Sequence, residues 1–183
     1  SRAITYSESV MAYGRSQEPP PAPRRVLLQS IVLDVQETLN LNADGGIEFE
    51  NLVADDFELI ADSEQLFRVL CNLCRNSVQA MERDHTSDVS TVKRLTISAG
   101  RIGTTAIIGI EDTGPGLPQK ARDHLFTAFK GSTRSDGTGL GLAIVKSLVE
   151  QTGGELVLSS PAPGRKDGFE ARVVLPAQTA LRR

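Results

Sequence analysis

Alternation between two hydrophobic periodicities along the chain limits its fold more than any other feature. Structure is expected to resume at Val26, and from Leu28 to Leu39 apolar residues recur at spacings of three and four, which is typical of an amphipathic helix. Two strand-like segments, a second helical pattern, two more strands, a third helical pattern and two final strands follow. This order predicts an α/β (α+β) two-layer sandwich, in which a mixed β-sheet carries its helices packed on one face.

The boundaries of these elements follow from apolar spacing and from turn residues. Strands are predicted at 47–53, 57–61, 95–102, 105–111, 156–159 and 169–175. Asp62 is a predicted N-cap, and Gln65, three positions later, completes a capping-box pattern for a helix that reaches about Arg83. Two further helices are predicted, a short one from Pro118 to His124 and a longer one over 140–151.

Composition excludes several classes of protein. The 183 residues suffice for one globular domain, and a net charge of -3 argues against general nucleic-acid binding, which needs a basic surface. No apolar run approaches the roughly 18 residues of a membrane span. Cys71 and Cys74 stand within a helical pattern without further ligands nearby, so we interpret them as small apolar helix residues in a reducing setting.

A proline-rich stretch at residues 18–25 divides the chain, because consecutive prolines cannot continue a helix. We expect residues 1–24 to be the tail of a preceding helix plus a linker, 25–177 to be one domain, and 178–183 to be a C-terminal tail. The chain does not begin with methionine, so we expect it to be a piece of a longer protein.

The glycines are unevenly placed, with eight of the 16 between Gly114 and Gly154. Asp112-Thr-Gly-Pro-Gly116 directly follows an apolar strand, and its glycines permit a sharp turn and close backbone approach. A carboxylate there can accept a hydrogen bond from the exocyclic amine of adenine, where guanine offers an acceptor instead. The alternative is a surface turn, for which this composition is common.

A second glycine-rich motif, Gly137-Thr-Gly-Leu-Gly141-Leu, opens the helix predicted over 140–151. Free backbone amides at a helix N-terminus bind anions, and glycines let a ligand come close to them. The spacing matches neither the dinucleotide-binding fingerprint nor the Walker loop. By itself this motif is weak evidence for a phosphate site.

Asn72 and Asn76 lie four positions apart on a predicted helix and therefore share a face. Their amide oxygens are neutral ligands suited to Mg²⁺ that already carries phosphate oxygens, although a solvated polar face is the alternative. Phe126 and Phe129 precede the polar segment 131–136 and would anchor one end of a mobile loop. Two ordinary core aromatics are the alternative there.

The four motifs, in this order, resemble the catalytic ATP-binding domain of two-component sensor histidine kinases. The superfamily also includes gyrase, heat-shock chaperone and mismatch-repair ATPases and has the Bergerat-type ATP-binding fold. Asn72–Asn76 resembles its asparagine box, Asp112–Gly116 its first glycine box, Phe126–Phe129 its phenylalanine box and Gly137–Leu142 its second glycine box. The resemblance spans Pro23 to Pro176.

The resemblance implies a role for each matching residue. Asn76, with Asn72 beside it, would coordinate Mg²⁺ and contact the ATP phosphates, and Asp112 would bind the adenine amino group. Gly114 and Gly116 would shape the base pocket, and residues 130–138 would form the ATP lid. The other implied nucleotide contacts are Phe129, Lys130, Thr138, Gly139, Leu140 and Gly141.

The phosphate-binding cation is less clear, because the family often has a lysine and an aromatic where this chain has Gln79-Ala80. The candidates are Arg75, Arg83, Lys130 and Arg134. Lys130 is favoured, since it follows the phenylalanine box and adjoins the lid, and it joins Asn72 and Asn76 as the implied catalytic set.

Neither His85 nor His124 matches the sequence context of a phosphoacceptor histidine. The resemblance therefore implies that the chain supplies the γ-phosphoryl group of ATP to a histidine in a separate upstream dimerisation domain, of which residues 1–18 would be the tail. It also implies a response regulator receiver domain as partner and a full-length homodimer, although the fragment is compatible with a monomer. The domain would be cytoplasmic, and a membrane anchor elsewhere in the parent protein is left open.

Two other functions remain open at this point. One is a binding module that keeps the fold without catalysis and docks a response regulator or another kinase. The other is a relative such as an anti-sigma-factor serine kinase or a gyrase-type ATPase. Magnesium-dependent ATP affinity distinguishes the first from a kinase, and the phenylalanine box with the proline-separated upstream segment favours a histidine kinase over the second.

Overall fold

A computed structural model describes residues 22–41, 45–83, 92–116, 138–162 and 168–177. The elements in chain order are β1 (Arg24–Leu27), α1 (Leu28–Thr38), β2 (Ile47–Asn51), β3 (Glu58–Ala61), α2 (Ser63–Arg83), β4 (Lys93–Ile102), β5 (Thr105–Asp112), α3 (Thr138–Gln151), β6 (Glu155–Ser159) and β7 (Phe169–Leu175). The short helix predicted from Pro118 to His124 lies outside the described residues.

The main sheet has five strands in the order β2-β4-β5-β7-β6. β2 pairs with β4 in parallel, whereas the other neighbours are antiparallel, so the sheet is mixed. The predicted α/β two-layer architecture is confirmed. One detail differs, because β3 does not join this sheet but forms a separate two-stranded antiparallel pair with β1.

β1 was not predicted from the sequence. Val26 lies opposite Leu59 in the β1–β3 pair, so the structure that resumes at Val26 is first a strand, and the helix begins at Leu28, the first residue of the predicted spacing. The backbone amide of Leu28 donates to the carbonyl of Phe57, which ties the start of α1 to the same segment. A four-residue strand with two exposed arginines has no clear periodicity, so only its distant partner identifies it as a strand.

The inner face of the sheet is apolar because side chains alternate between the two faces of each strand. Ile97, Ile110 and Ala171 lie opposite one another on β4, β5 and β7, and all three are fully buried. α2 packs against both α1 and α3 and over β4 and β5. The core therefore lies between one face of the sheet and this helical layer.

α2 is the central helix of that layer, and its predicted apolar side is confirmed, with Leu66, Leu70 and Leu73 all buried. Cys71 and Cys74 are both buried on the same helix, and neither is in a disulfide. Burial raises the pKa of the Cys74 thiol, so this side chain stays protonated and apolar. Their interpretation as small apolar helix residues is confirmed.

The N-terminus of α2 is capped by Asp62, as predicted. Its Oδ1 accepts hydrogen bonds from the backbone amides of Glu64 (3.0 Å) and Gln65 (3.1 Å). Its Oδ2 accepts a bond from the amide of Ala22 (2.8 Å), which fixes the segment before β1 to this helix. The reciprocal half of the capping box is wrong, because Gln65 Oε1 is buried without a hydrogen-bond partner among the described residues.

Candidate functional site

The carboxylate of Asp112 stands at the end of the buried face of β5. Register places Asp112 opposite Leu95 on β4 and opposite Phe169 on β7, so it occupies the inward position that follows Ile110. Its side chain is only 2% exposed. The backbone amide of Gly114 donates a 2.8 Å hydrogen bond to its Oδ1, which stabilises the carboxylate in this apolar surrounding.

The two glycines after Asp112 are held where a side chain would collide with its surroundings. A Cβ on Gly114 would lie 3.0 Å from Met81 Cγ and 3.1 Å from Asp112 Oδ1. Gly116 has a φ of +84°, and a Cβ there would lie 2.9 Å from the carbonyl oxygen of Gly168 and overlap Ser160 Oγ. The D-x-G-x-G motif therefore forms a tightly packed turn.

A cleft beside this turn brings separate motifs together. It is lined by Asn76 from α2, Asp112 and Gly116 from the turn, Leu142 from α3 and Phe169 from β7. The remaining lining residues belong to α2 and are Ser77, Gln79, Ala80 and Arg83. Positions 76, 79, 80 and 83 recur at helical spacing, so one face of α2 forms a wall of the cleft.

Asn72 and Asn76 have different surroundings, and only one of them lines the cleft. Asn76 lines the cleft, is half-buried, and has a buried Nδ2 without a partner in the parts of the chain that the structure describes. Asn72 is 4% exposed, and its Nδ2 donates a 2.9 Å hydrogen bond to the carbonyl of Arg68 on its own helix. Only Asn76 therefore reaches the cleft, and the metal role of both side chains remains a prediction.

The N-terminus of α3 adjoins the same cleft. Thr138, Gly139, Leu140 and Gly141 form its first turn, and Leu142 directly after them lines the cleft. The first amides of a helix have no partner within the helix, and its dipole places a partial positive charge there. This end of the cleft therefore favours an anion.

Several predicted site residues lie outside the described residues. These are Phe126, Phe129, Lys130 and Arg134, whose roles stay predictions. Of the two candidate cations on α2, Arg83 lines the cleft, whereas Arg75 is not among the lining residues.

The sequence did not indicate Phe169 or Ser77 as site residues. Phe169 enters the cleft because β7 pairs with β5, which places it beside Asp112. Strand pairing at such a distance in sequence leaves no local signal. Ser77 follows Asn76 directly and could have been suspected from the polar pattern of α2.

The described residues hold no group of three or more histidine, cysteine, aspartate or glutamate side chains that could bind a metal. Among the helices described here, none is both long and apolar enough to cross a membrane. The cleft instead combines a buried carboxylate acceptor, an amide side chain and a helix N-terminus. That combination suits a ligand with an amine at one end and anionic groups at the other.

A protein-family model matches more than half of the chain. The model for the "Histidine kinase-, DNA gyrase B-, and HSP90-like ATPase" family matches residues 61–179. The chain is also 39% identical over 106 residues to the sensory histidine kinase/phosphatase NtrB of Klebsiella oxytoca, a match that covers 56% of this chain and 30% of NtrB. The chain thus matches less than a third of the length of this curated relative.

Solved structures show the same architecture. The mycobacterial sensor histidine kinase MprB superposes with a TM-score of 0.66 at 28% identity, covering 86% of this chain and 99% of the solved one. The histidine kinase ThkA, solved in complex with the response regulator protein TrrA, gives a TM-score of 0.70 over 100% of this chain and 49% of the solved one. At 19% identity the second likeness shows the fold alone.

The packing of Gly116 can be tested against a matched glycine. Gly153 has nearly the same φ, +83°, but a Cβ there would meet nothing within 4 Å. Both alanine variants lose about 1 kcal/mol because a Cβ disfavours the left-handed conformation. Gly116→Ala should lose about 1–3 kcal/mol more from overpacking, measured by urea unfolding. Equal losses in the two variants would contradict the packing described for the turn.

Proposed function

The chain belongs to the family of histidine kinase-, DNA gyrase B- and HSP90-like ATPases, and we propose that it is the Mg-ATP-binding catalytic domain of a sensor histidine kinase. In this proposal it supplies the γ-phosphoryl group of ATP to a histidine in a separate dimerisation domain. The observation that carries the proposal is the convergence of Asn76, Asp112, Gly116 and Leu142, which come from three motifs, on one cleft.

Asp112 would recognise the adenine base. A carboxylate accepts several hydrogen bonds, so it can accept one from Gly114 and another from the exocyclic amine of adenine. Guanine presents a carbonyl oxygen at that position, and two acceptors facing each other in a buried site repel. Phe169 and Leu142 supply apolar surface in the same cleft.

The first turn of α3 would hold the phosphates. Backbone amides of Gly139 and Gly141 suit this role because glycine leaves the backbone open to close approach. We place Lys130 beside them as the phosphate-binding cation, and Thr138, Leu140 and Phe129 as further nucleotide contacts. Phosphoryl transfer requires little covalent chemistry from the protein, so positioning and charge neutralisation account for most of this contribution.

The donor set fits magnesium at Asn76. An amide oxygen is a ligand that Mg²⁺ accepts beside phosphate oxygens and water, and the side chain of Asn76 lines the cleft. Magnesium bound there would neutralise developing charge on the phosphates. Because Asn72 is buried and bonded to its own helix, we propose that it orients Asn76 rather than reaching the ion itself.

The acceptor histidine and the other partners belong to the rest of the parent protein or to other chains. We propose a homodimer formed through the dimerisation domain, with this domain in the cytoplasm. The complex of ThkA with TrrA supports a response regulator receiver domain as the protein that next receives the phosphoryl group.

Replacement of Asp112 by asparagine tests the adenine contact. We expect Asp112→Asn to weaken ATP binding about 10- to 100-fold, because a hydrogen bond to a charged acceptor is lost in a buried site. The preference for ATP over GTP should shrink as well, since an asparagine amide can donate to the guanine carbonyl. Calorimetric titration with both nucleotides in magnesium measures the two effects.

The control for this experiment is Glu111→Gln, the same change one position earlier on β5. Because side chains alternate between the two faces of a strand, the Glu111 side chain lies on the opposite face of the sheet from Asp112. Glu111 lies opposite Thr96 of β4 in the strand register. Its ATP affinity should equal that of the unchanged protein. If both variants bind ATP equally well, Asp112 does not contact the base.

The phosphate-binding cation can be identified by parallel substitutions. We expect Lys130→Ala to raise the Michaelis constant for ATP, because a charge beside the phosphates is removed. Arg83→Ala serves as the comparison, since Arg83 lines the cleft on α2. An unchanged constant in Lys130→Ala together with a raised one in Arg83→Ala would move the assignment to Arg83.

Phosphorylation in trans tests the function as a whole. The chain incubated with labelled Mg-ATP alone should carry no acid-labile phosphate on His85 or His124. Addition of the histidine-containing dimerisation domain of the parent protein should produce acid-labile label on that added domain. Label on His85 or His124, or none on the added domain despite measured ATP binding, would reject the kinase proposal.

A binding module without catalysis is the second candidate function. It is favoured by one observation: Gln79 and Ala80 of α2 line the cleft. The family often has a lysine and an aromatic residue at these two positions. In that case the chain would dock a response regulator or a kinase partner without phosphorylating histidine. Binding of the regulator with no transfer in the trans experiment would select this function.

A further inference from the structure

A second cavity lies within the helical layer, and we call it the helix cavity. It has a volume of about 270 Å³, is partly open to solvent, and lies between the end of β3, the first half of α2, the last half of α3 and the end of β7. Its apolar walls are Leu66 and Val69 on α2, Leu148 and Val149 on α3, and Val173 and Leu175 on β7. None of its lining residues belongs to the cleft that contains Asn76 and Asp112.

The floor of the helix cavity consists of core side chains, and its rim reaches the surface. Val69 is 3% exposed and Val173 is fully buried, whereas Gln151 at the rim is exposed. Native cores are close-packed, and an empty apolar space forfeits dispersion contacts along its walls. A dry apolar cavity of about 150 Å³ is large enough to bind benzene. The helix cavity therefore has room for a somewhat larger apolar molecule.

Four polar residues, Asp62, Gln65, Gln151 and Thr152, also line the helix cavity, and Gln65 is the most deeply buried of them. Gln65 lines the helix cavity at 9% exposure, and its Oε1 is buried without a partner among the described residues. The capping bond that the sequence predicts for this side chain is not formed. A glutamine amide turns easily about its last torsion, so Oε1 can swing toward a donor inside the cavity.

We propose that the helix cavity is a second ligand site, for a small and mainly apolar molecule that carries one hydrogen-bond donor. The donor pairs with Gln65 Oε1, and the apolar body fills the space between α2 and α3. Asn76 follows Val69 by seven positions on α2, about 10 Å along the helix axis. The site is thus distinct from the nucleotide cleft but is bounded by the same two helices.

Indole is a suitable probe, because it is a compact bicyclic ring with one N–H donor. The chain contains no tryptophan, so the fluorescence of indole can be followed without interference from an intrinsic indole ring. The full 183-residue chain is titrated in saturating Mg-ATP, which keeps indole out of the nucleotide cleft. Saturable binding is expected, and Val69→Phe should abolish it by filling the cavity.

The matched probe 1-benzothiophene has the same shape but no N–H donor. We expect it to bind about three- to tenfold more weakly than indole, the range for one net hydrogen bond. Gln65→Leu should remove that preference and should fold, because it deletes an unpaired buried polar atom. Gln29→Leu is the control, since the Gln29 amide lies elsewhere and donates to the Val53 carbonyl at 2.8 Å; it should leave the preference unchanged.

Several results would overturn the proposal. The proposal fails if indole shows no saturable binding, or if indole binding is lost when Mg-ATP is added. It also fails if indole still binds to a Val69→Phe variant that circular dichroism shows to be folded. If Val69→Phe does not fold, Gln65→Leu decides the question. An unchanged ratio of indole to benzothiophene affinity in that variant rejects the assigned donor contact and with it the site.

Discussion

The carboxylate of Asp112, buried at the inner end of β5, is the constraint on which the site depends. Inward positions on this strand are otherwise apolar, and a buried charge is costly unless it is hydrogen-bonded. The amide of Gly114 supplies that bond only because the chain turns sharply after the strand. This turn also packs against Met81 and Gly168, and it leaves no room for side chains at Gly114 and Gly116. The buried position of the Asp112 carboxylate and the D-x-G-x-G spacing thus have one common cause.

The same two helices bound the helix cavity and the cleft that contains Asn76 and Asp112. α2 lines the helix cavity near its start, through Gln65 and Val69, and the cleft near its end, through Asn76 and Arg83. α3 does so in the opposite order, with Leu142 at the cleft and Leu148 at the helix cavity. Asp62 further ties the start of α2 to the segment before β1.

Local patterns predicted much of this arrangement. The apolar spacing of α2, the cap at Asp62 and the position of Asp112 at the end of an apolar strand all follow from short-range rules, and the structure agrees with them. Where the prediction failed, a distant partner decided the outcome. β1 exists because Val26 pairs with Leu59, and Phe169 enters the cleft because β7 pairs with β5.

The sequence by itself determined the chemistry of the site: a carboxylate, an amide pair and two glycine motifs in an order that resembles one family of ATPases. Only the tertiary structure decided which of these groups meet. It brought Asn76 into the cleft and left Asn72 buried against its own helix, although their four-residue spacing predicts that both lie on the same face of α2. It also left Gln65 Oε1 beside the helix cavity without a hydrogen-bond partner in the described part of the chain. The reason is physical, since periodicity reports the environment of each position along one element, whereas contacts and cavities depend on how separate elements pack.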